Sequence, residues 1–217
     1  MKPLVITAHL QNGLISGDMW TPSIDNILAY WHLKKSLSDA EFAAGCANVG
    51  ELLTVDDLPI EKEIHGDDWW YKCSSPITAI NARYSTHIHR RFDQLAGEKY
   101  LLPKKGRIQL QTGQHKNKRV KLFVTITDRI IWHVVGNKKN IEELLQKCTH
   151  LGANINIGFG KVKYWHISAD GDVDIARFKR SLPETFAEKH GIDGIRMNWG
   201  YRPNVRKPAN QALCVMT

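Results

Sequence analysis

The residues most able to do chemistry lie in two basic stretches. The first is the run Ala82 to Asp93, in which Arg83, Tyr84, His87, His89, Arg90 and Arg91 crowd into twelve positions, followed further on by Lys116, Lys118 and Arg119. The second is the loop from Thr149 to Val162, where Gly158, Gly160 and Lys161 stand together with Lys163 just beyond. Arginines and lysines beside an aromatic ring suit a sugar-phosphate chain, whose backbone takes the charge and whose bases stack. Glycines remove Cβ atoms, so that another backbone can come close or φ can turn positive. Either stretch equally suits a solvated basic surface. Histidine is also the usual general base near neutral pH, and a cation nearby can hold developing charge. His87 and His89, with Tyr84 and Lys72, are therefore candidates for metal-independent cleavage of RNA.

The elements that position these residues follow from periodicity. Val162 to Ile167 alternates as a strand with one buried face. Before the glycines, Asn140 reads as a helix cap with Glu143 three residues on, Ile141, Leu144, Leu145, Cys148 and Leu151 follow at helical spacing, and Gly152 sits where a left-handed cap belongs. For the first stretch the spacing predicts a helix, with Arg83, His87, Arg90 and Arg91 on one side and Tyr84, Ile88 and Phe92 on an adjacent one. On a helix, a His-x-His pair points two ways and does not present both rings to one phosphate, which argues against catalysis.

Leu4 to Leu10 alternates as an opening strand, and Ile24, Ile27, Leu28 and Trp31 mark a helix started near Thr21. Residues 36–68 are acidic and weakly periodic, an inserted segment helical in part. Trp69 to Ser74 has strand composition, and Arg107 to Leu110 is a short strand. Thr112 to Arg119 is a polar basic loop. Val120 to Ile126 and Ile130 to Val135 read as a hairpin. Beyond residue 168, Asp174 caps a helix bearing Ile175, Phe178 and Leu182, and glycines and prolines then mark irregular chain in which Arg196, Arg202, Arg206 and Lys207 alternate with Trp199 and Tyr201.

Composition narrows the class. The chain has 217 residues and a formal charge of +8, enough for one domain with insertions that buries roughly 70% of its unfolded surface. The charge is uneven: residues 1–70 hold 4 Lys/Arg against 11 Asp/Glu, and residues 71–217 hold 26 against 11. The basic part is expected to meet nucleic acid and the acidic part protein. No apolar run approaches the ~18 residues of a membrane span, and the start is too short in apolar residues for a secretory signal, so a cytoplasmic protein is expected. Cys46, Cys73, Cys148 and Cys214 show no zinc-ligand spacing and are expected as reduced thiols, with no metal and no cofactor.

Strand, helix, strand, hairpin, helix, glycine loop and strand is the order of an α+β, ferredoxin-like (RRM-like) β-α-β-β-α-β unit. Leu4 to Leu10 followed by Ile24 to Tyr30, Trp70 to Ser74, Arg90 to Asp93, and Thr149 to Gly152 with Gly158 to Val162 and Trp165 together resemble the RAMP superfamily of CRISPR proteins. More narrowly they resemble the type IV effector subunit equivalent to the 5′-handle-binding RAMP. The resemblance covers residues 4–167. This chain departs from the pattern at Asn154 to Ile157, where relatives are basic.

The resemblance implies a RAMP domain over 1–167, with insertions at about 36–68 and 76–118, the latter an inserted basic helical segment, and a C-terminal extension over 168–217 packed on or beside the sheet. It implies a non-catalytic subunit that caps the 5′ handle of the guide RNA. The partners it implies are a backbone RAMP subunit, a large subunit and a recruited helicase, with target DNA adjacent and no membrane. The RNA-binding residues expected are Arg83, Tyr84, His87, Arg90, Arg91, Lys116, Lys118, Arg119, Gly158, Gly160, Lys161 and Lys163.

Overall fold

A computed structural model describes residues 1–16, 18–47, 55–93, 97, 111 and 116–217. The expected strand at 107–110 lies outside them.

The central strand is β1 (Lys2–Leu10), which buries Leu4, Ile6, Ala8 and Leu10 on one face as the alternation requires. Two helices follow, α1 (Ile24–Ser36) and α2 (Asp39–Ala47). A hairpin of β2 (Lys62–His65) and β3 (Asp68–Tyr71) and the short β4 (Ile77–Thr78) come next. Then come β5 (Ala82–Arg90), β6 (Lys118–Ile126), β7 (Arg129–Gly136), α3 (Lys138–Leu145) and β8 (Val162–Ser168). The main sheet runs β4-β7-β1-β8 with every neighbouring pair antiparallel. On one side of it, Leu28 of α1 and Ile141, Leu144 and Leu145 of α3 close a core over Ile6, Trp132, Val134 and Ile167.

Several local expectations give way to pairing. The segment Ala82–Arg90 is a strand and not a helix: all nine residues pair with β6. Tyr84, Ile88 and Phe92 satisfy a spacing of four, which a helix and one face of a strand share, and the cross-strand partners decide between them. Lys118 and Arg119 belong to β6 rather than to a loop. Nor do β6 and β7 form a hairpin. β7 pairs instead with β1 and β4, because its alternate residues Ile130, Trp132 and Val134 are needed in the main core. The turn at Thr127-Asp128 carries the chain from one sheet to another.

Helix caps shift in the same way. Asn137, not Asn140, caps α3, its side chain accepting from the Asn140 amide at 3.3 Å. Gly152 does have a positive φ, +78°, but lies beyond the helix that ends at Leu145.

After β8 the chain is more regular than its glycines and prolines suggest. It forms α4 (Val173–Phe178), β9 (Ser181–Pro183), α5 (Glu184–Lys189), β10 (Ile195–Gly200) and β11 (Gln211–Met216). Asp172 rather than Asp174 caps α4, and Leu182 lies in β9. The strands make a sheet ordered β10-β11-β9, with a second core of Leu182, Phe186, Tyr201 and Val215. Neighbouring residues of β3 divide between the two cores: Trp70 enters the second and Tyr71 the first.

A buried arginine ties these parts together. Arg180 donates to the carbonyls of Tyr71 and Cys73, to that of Tyr201 at 2.6 Å, and to the Asp25 carboxylate of α1 at 3.4 Å. Removing a charge from such a site costs several kcal/mol, about 3 to 5, because its partner stays buried.

Candidate nucleic-acid interface

Among the described residues the two strands β5 and β6 form a ribbon paired only with each other along most of their length, about 30 Å at ~3.4 Å per residue. The register assigns two faces. Arg83, Ser85, His87 and His89 lie opposite Thr125, Phe123, Lys121 and Arg119 on one face. Tyr84, Thr86 and Ile88 lie opposite Val124, Leu122 and Val120 on the other. One face is therefore basic and the other largely apolar.

Within the two strands there are five Lys/Arg and no Asp or Glu. Basic residues stand directly across from histidines at His87 and Lys121 and at His89 and Arg119. A histidine protonated here would face a like charge across the strands, which opposes its protonation. The pKa of His87 is lowered, first by partial desolvation and then by the charges of Arg119, Lys121 and His89. Phe123 is 66% exposed beside this charge, with Lys121 Nζ 5.0 Å from its ring centre. Tyr84 is half-exposed on the opposite face.

Alternation also shows what the helical reading missed. Lys121 and Phe123 belong to the basic face beside Arg83 and His87, while Tyr84 does not. His87 and His89, two residues apart on a strand, point the same way. Lys72 takes no part in this face, being paired with Glu61 at 2.6 Å and Glu63 at 3.6 Å. Arg91 and Lys116 are exposed at the far end, where Asn117 accepts from the Phe92 amide at 3.0 Å.

The glycine loop lies near the root of the ribbon. Gly160 (φ +67°) is buried, and a Cβ there would stand 1.8 Å from the Leu151 carbonyl oxygen, so the chain's own backbone requires this glycine. Gly158 (φ +92°) ends a short 3-10 turn, Ile155–Ile157, with open space where a Cβ would go. Lys161 and Lys163 are exposed.

A single segment, Gln11–Ile15, joins loop and ribbon. The Gly160 amide donates to Gly13 O at 2.8 Å, the Lys161 amide to Asn12 Oδ1 at 2.8 Å, and the Ala153 amide to Ile15 O at 2.9 Å. Asn12 Nδ2 donates to the Gly158 carbonyl. Leu14 exchanges two backbone hydrogen bonds with Thr125 of β6, each 2.9 Å. The expected residues thus fall into two linked groups, ribbon and loop.

The basic residues of the C-terminal part are largely engaged. Arg196 pairs with Glu184 at 3.0 Å, and Arg202 bonds Asn210 at 3.1 Å and lies over Trp69 and Tyr201. Among the described residues there is no group of three His, Cys, Asp or Glu that could hold a metal, and no helix is long and apolar enough to cross a membrane.

The molecule is thus an α+β protein with a carboxylate-free basic ribbon beside a glycine loop. The family model described as CRISPR type IV associated protein Csf3 matches residues 2–208, and the chain belongs to that family. Membership makes it a type IV CRISPR effector subunit. No curated protein matches the chain.

Proposed function

We propose that this subunit binds the guide RNA and caps its 5′ handle, without catalysing a reaction. The observation that carries the reading is the ribbon, one face of which gathers Arg83, Arg119 and Lys121 with His87, His89 and the exposed Phe123 ring while neither strand holds a carboxylate, a surface suited to phosphates and bases. The strand order of the main sheet supports a ferredoxin-like RAMP domain, since β8-β1-β7-β4 is the arrangement of a β-α-β-β-α-β unit. A backbone RAMP subunit, a large subunit and a helicase are the protein partners of this reading, with target DNA nearby and the cytoplasm as its compartment.

Charge reversal tests it. Arg83→Glu with Lys121→Glu is expected to weaken binding to single-stranded RNA strongly and to flatten its salt dependence, by about 0.7 in the log-log slope for each phosphate that is no longer neutralised. Unchanged affinity and slope would remove the ribbon from the interface.

One observation favours a second reading, cleavage of precursor guide RNA: His87 and His89 share a face, so both rings can meet one phosphate. The expected products in chelator would end in a 2′,3′-cyclic phosphate and vanish in His87→Ala. Intact RNA after incubation keeps the subunit a binder.

A further inference from the structure

Outside the ribbon, the main sheet carries a stacked pair of rings on the face opposite its helices. His9 and Tyr164 are cross-strand partners of β1 and β8, with ring centres 4.3 Å apart and planes 20° from parallel. The register continues the row to Arg129 on β7, which is exposed and has no ion pair among the described residues.

One face of the Tyr164 ring is covered by His9, yet the residue is 54% exposed. Its other face is therefore open, and it looks outward because β8 lies at an edge of the sheet among the described residues. On the helix side of the same edge a groove of about 420 Å³ runs between β8 and α3, lined by Glu142, Leu145, Thr149, Lys163, Tyr164 and Trp165. Lys161 and Lys163 stand exposed at its glycine-loop end. The carboxylate of Asp170, which accepts from the Ser168 hydroxyl, lies past the opposite end of β8.

We infer that the outer edge of β8 holds one unpaired nucleobase of a single-stranded RNA, stacked on the open face of Tyr164 and extending the His9–Tyr164 column. The pair is already ordered, so the base meets a fixed platform, and stacking of this kind tolerates any base because each presents a π-face. The adjoining phosphates face Lys161 and Lys163. A peptide strand added to β8 would use the same edge, but the cations and the ring stack favour a nucleotide. This inference rests on the proposed RNA-binding role and adds a subsite separate from the ribbon.

The test uses the full chain and a short oligouridylate carrying one 2-aminopurine, whose fluorescence is quenched on stacking. Binding to the wild-type protein is expected to quench it. Tyr164→Leu should abolish the quench and weaken binding roughly tenfold or more, while Tyr164→Phe should retain both. Melting curves of the two variants should match the wild type, since the ring is exposed. Equal quenching by Tyr164→Leu and wild type would overturn the subsite alone, provided that the ribbon charge reversal still abolishes binding. A wild-type protein that does not bind the oligouridylate would overturn the RNA-binding role itself.

Discussion

Gly158 and Gly160 stand two residues apart with φ of the same sign and opposite surroundings. At Gly158 a Cβ meets nothing within 4 Å, so Gly158→Ala should cost only the strain of a positive φ, about 1 kcal/mol, or a fall in Tm of roughly 2 to 4 °C. Gly160→Ala must also push back the Leu151 carbonyl and should cost about 2 to 4 kcal/mol. Thermal melting of the two single variants checks this, and equal Tm values would contradict it. The sequence shows that both positions lack a Cβ but not what lies beside them. That depends on Leu151, which reaches Gly160 through a hydrogen bond of 2.8 Å between loop strands. The described cysteines Cys73, Cys148 and Cys214 are free and buried, and desolvation is the first cause that raises their pKa values.

At the scale of elements, β1, α1, α3 and β8 are legible because each has one period and one buried face. The ribbon is not, because its polar and apolar residues fit a spacing of four as well as one of two, and only β6 supplies the missing half of the pattern. Knowing that it is a strand changes the expected pH dependence. His87 has a lowered pKa in the free protein, and a phosphate placed between His87 and Lys121 would raise it. Binding then takes up a proton, so RNA affinity should strengthen as pH falls from 7.5 through the ordinary histidine range near 6.5. His87→Gln should remove most of that slope in binding measured by anisotropy at constant ionic strength. A slope that persists would assign the proton to another group.

At the scale of the molecule, the two cores are joined by β3, by Arg180 and by the ion pair of Glu63 on β2 with Arg177 on α4, at 2.7 and 2.9 Å. Burial alone would raise the Glu63 pKa, but the Arg177 hydrogen bond and charge, with Lys72, bring it below the ordinary 4.5. A carboxyl lowered on folding adds stability that is complete above its unfolded value and lost as pH falls through the folded one. Melting followed from pH 7 to pH 3 should therefore show a loss below about 4.5 that is smaller in Glu63→Gln. An identical acid loss in the variant would mean that other carboxylates carry it. None of these long-range pairings, Glu63 with Arg177 or Asp25 with Arg180, is visible in periodicity, because it reports faces and not distant partners. Gln11–Ile15 has a mechanical consequence. Bonded on one side to the glycine loop and on the other to Thr125, it acts as a strut, so the two cationic arms move as the jaws of a caliper set to one width. A strand that grips both is measured against that fixed gauge.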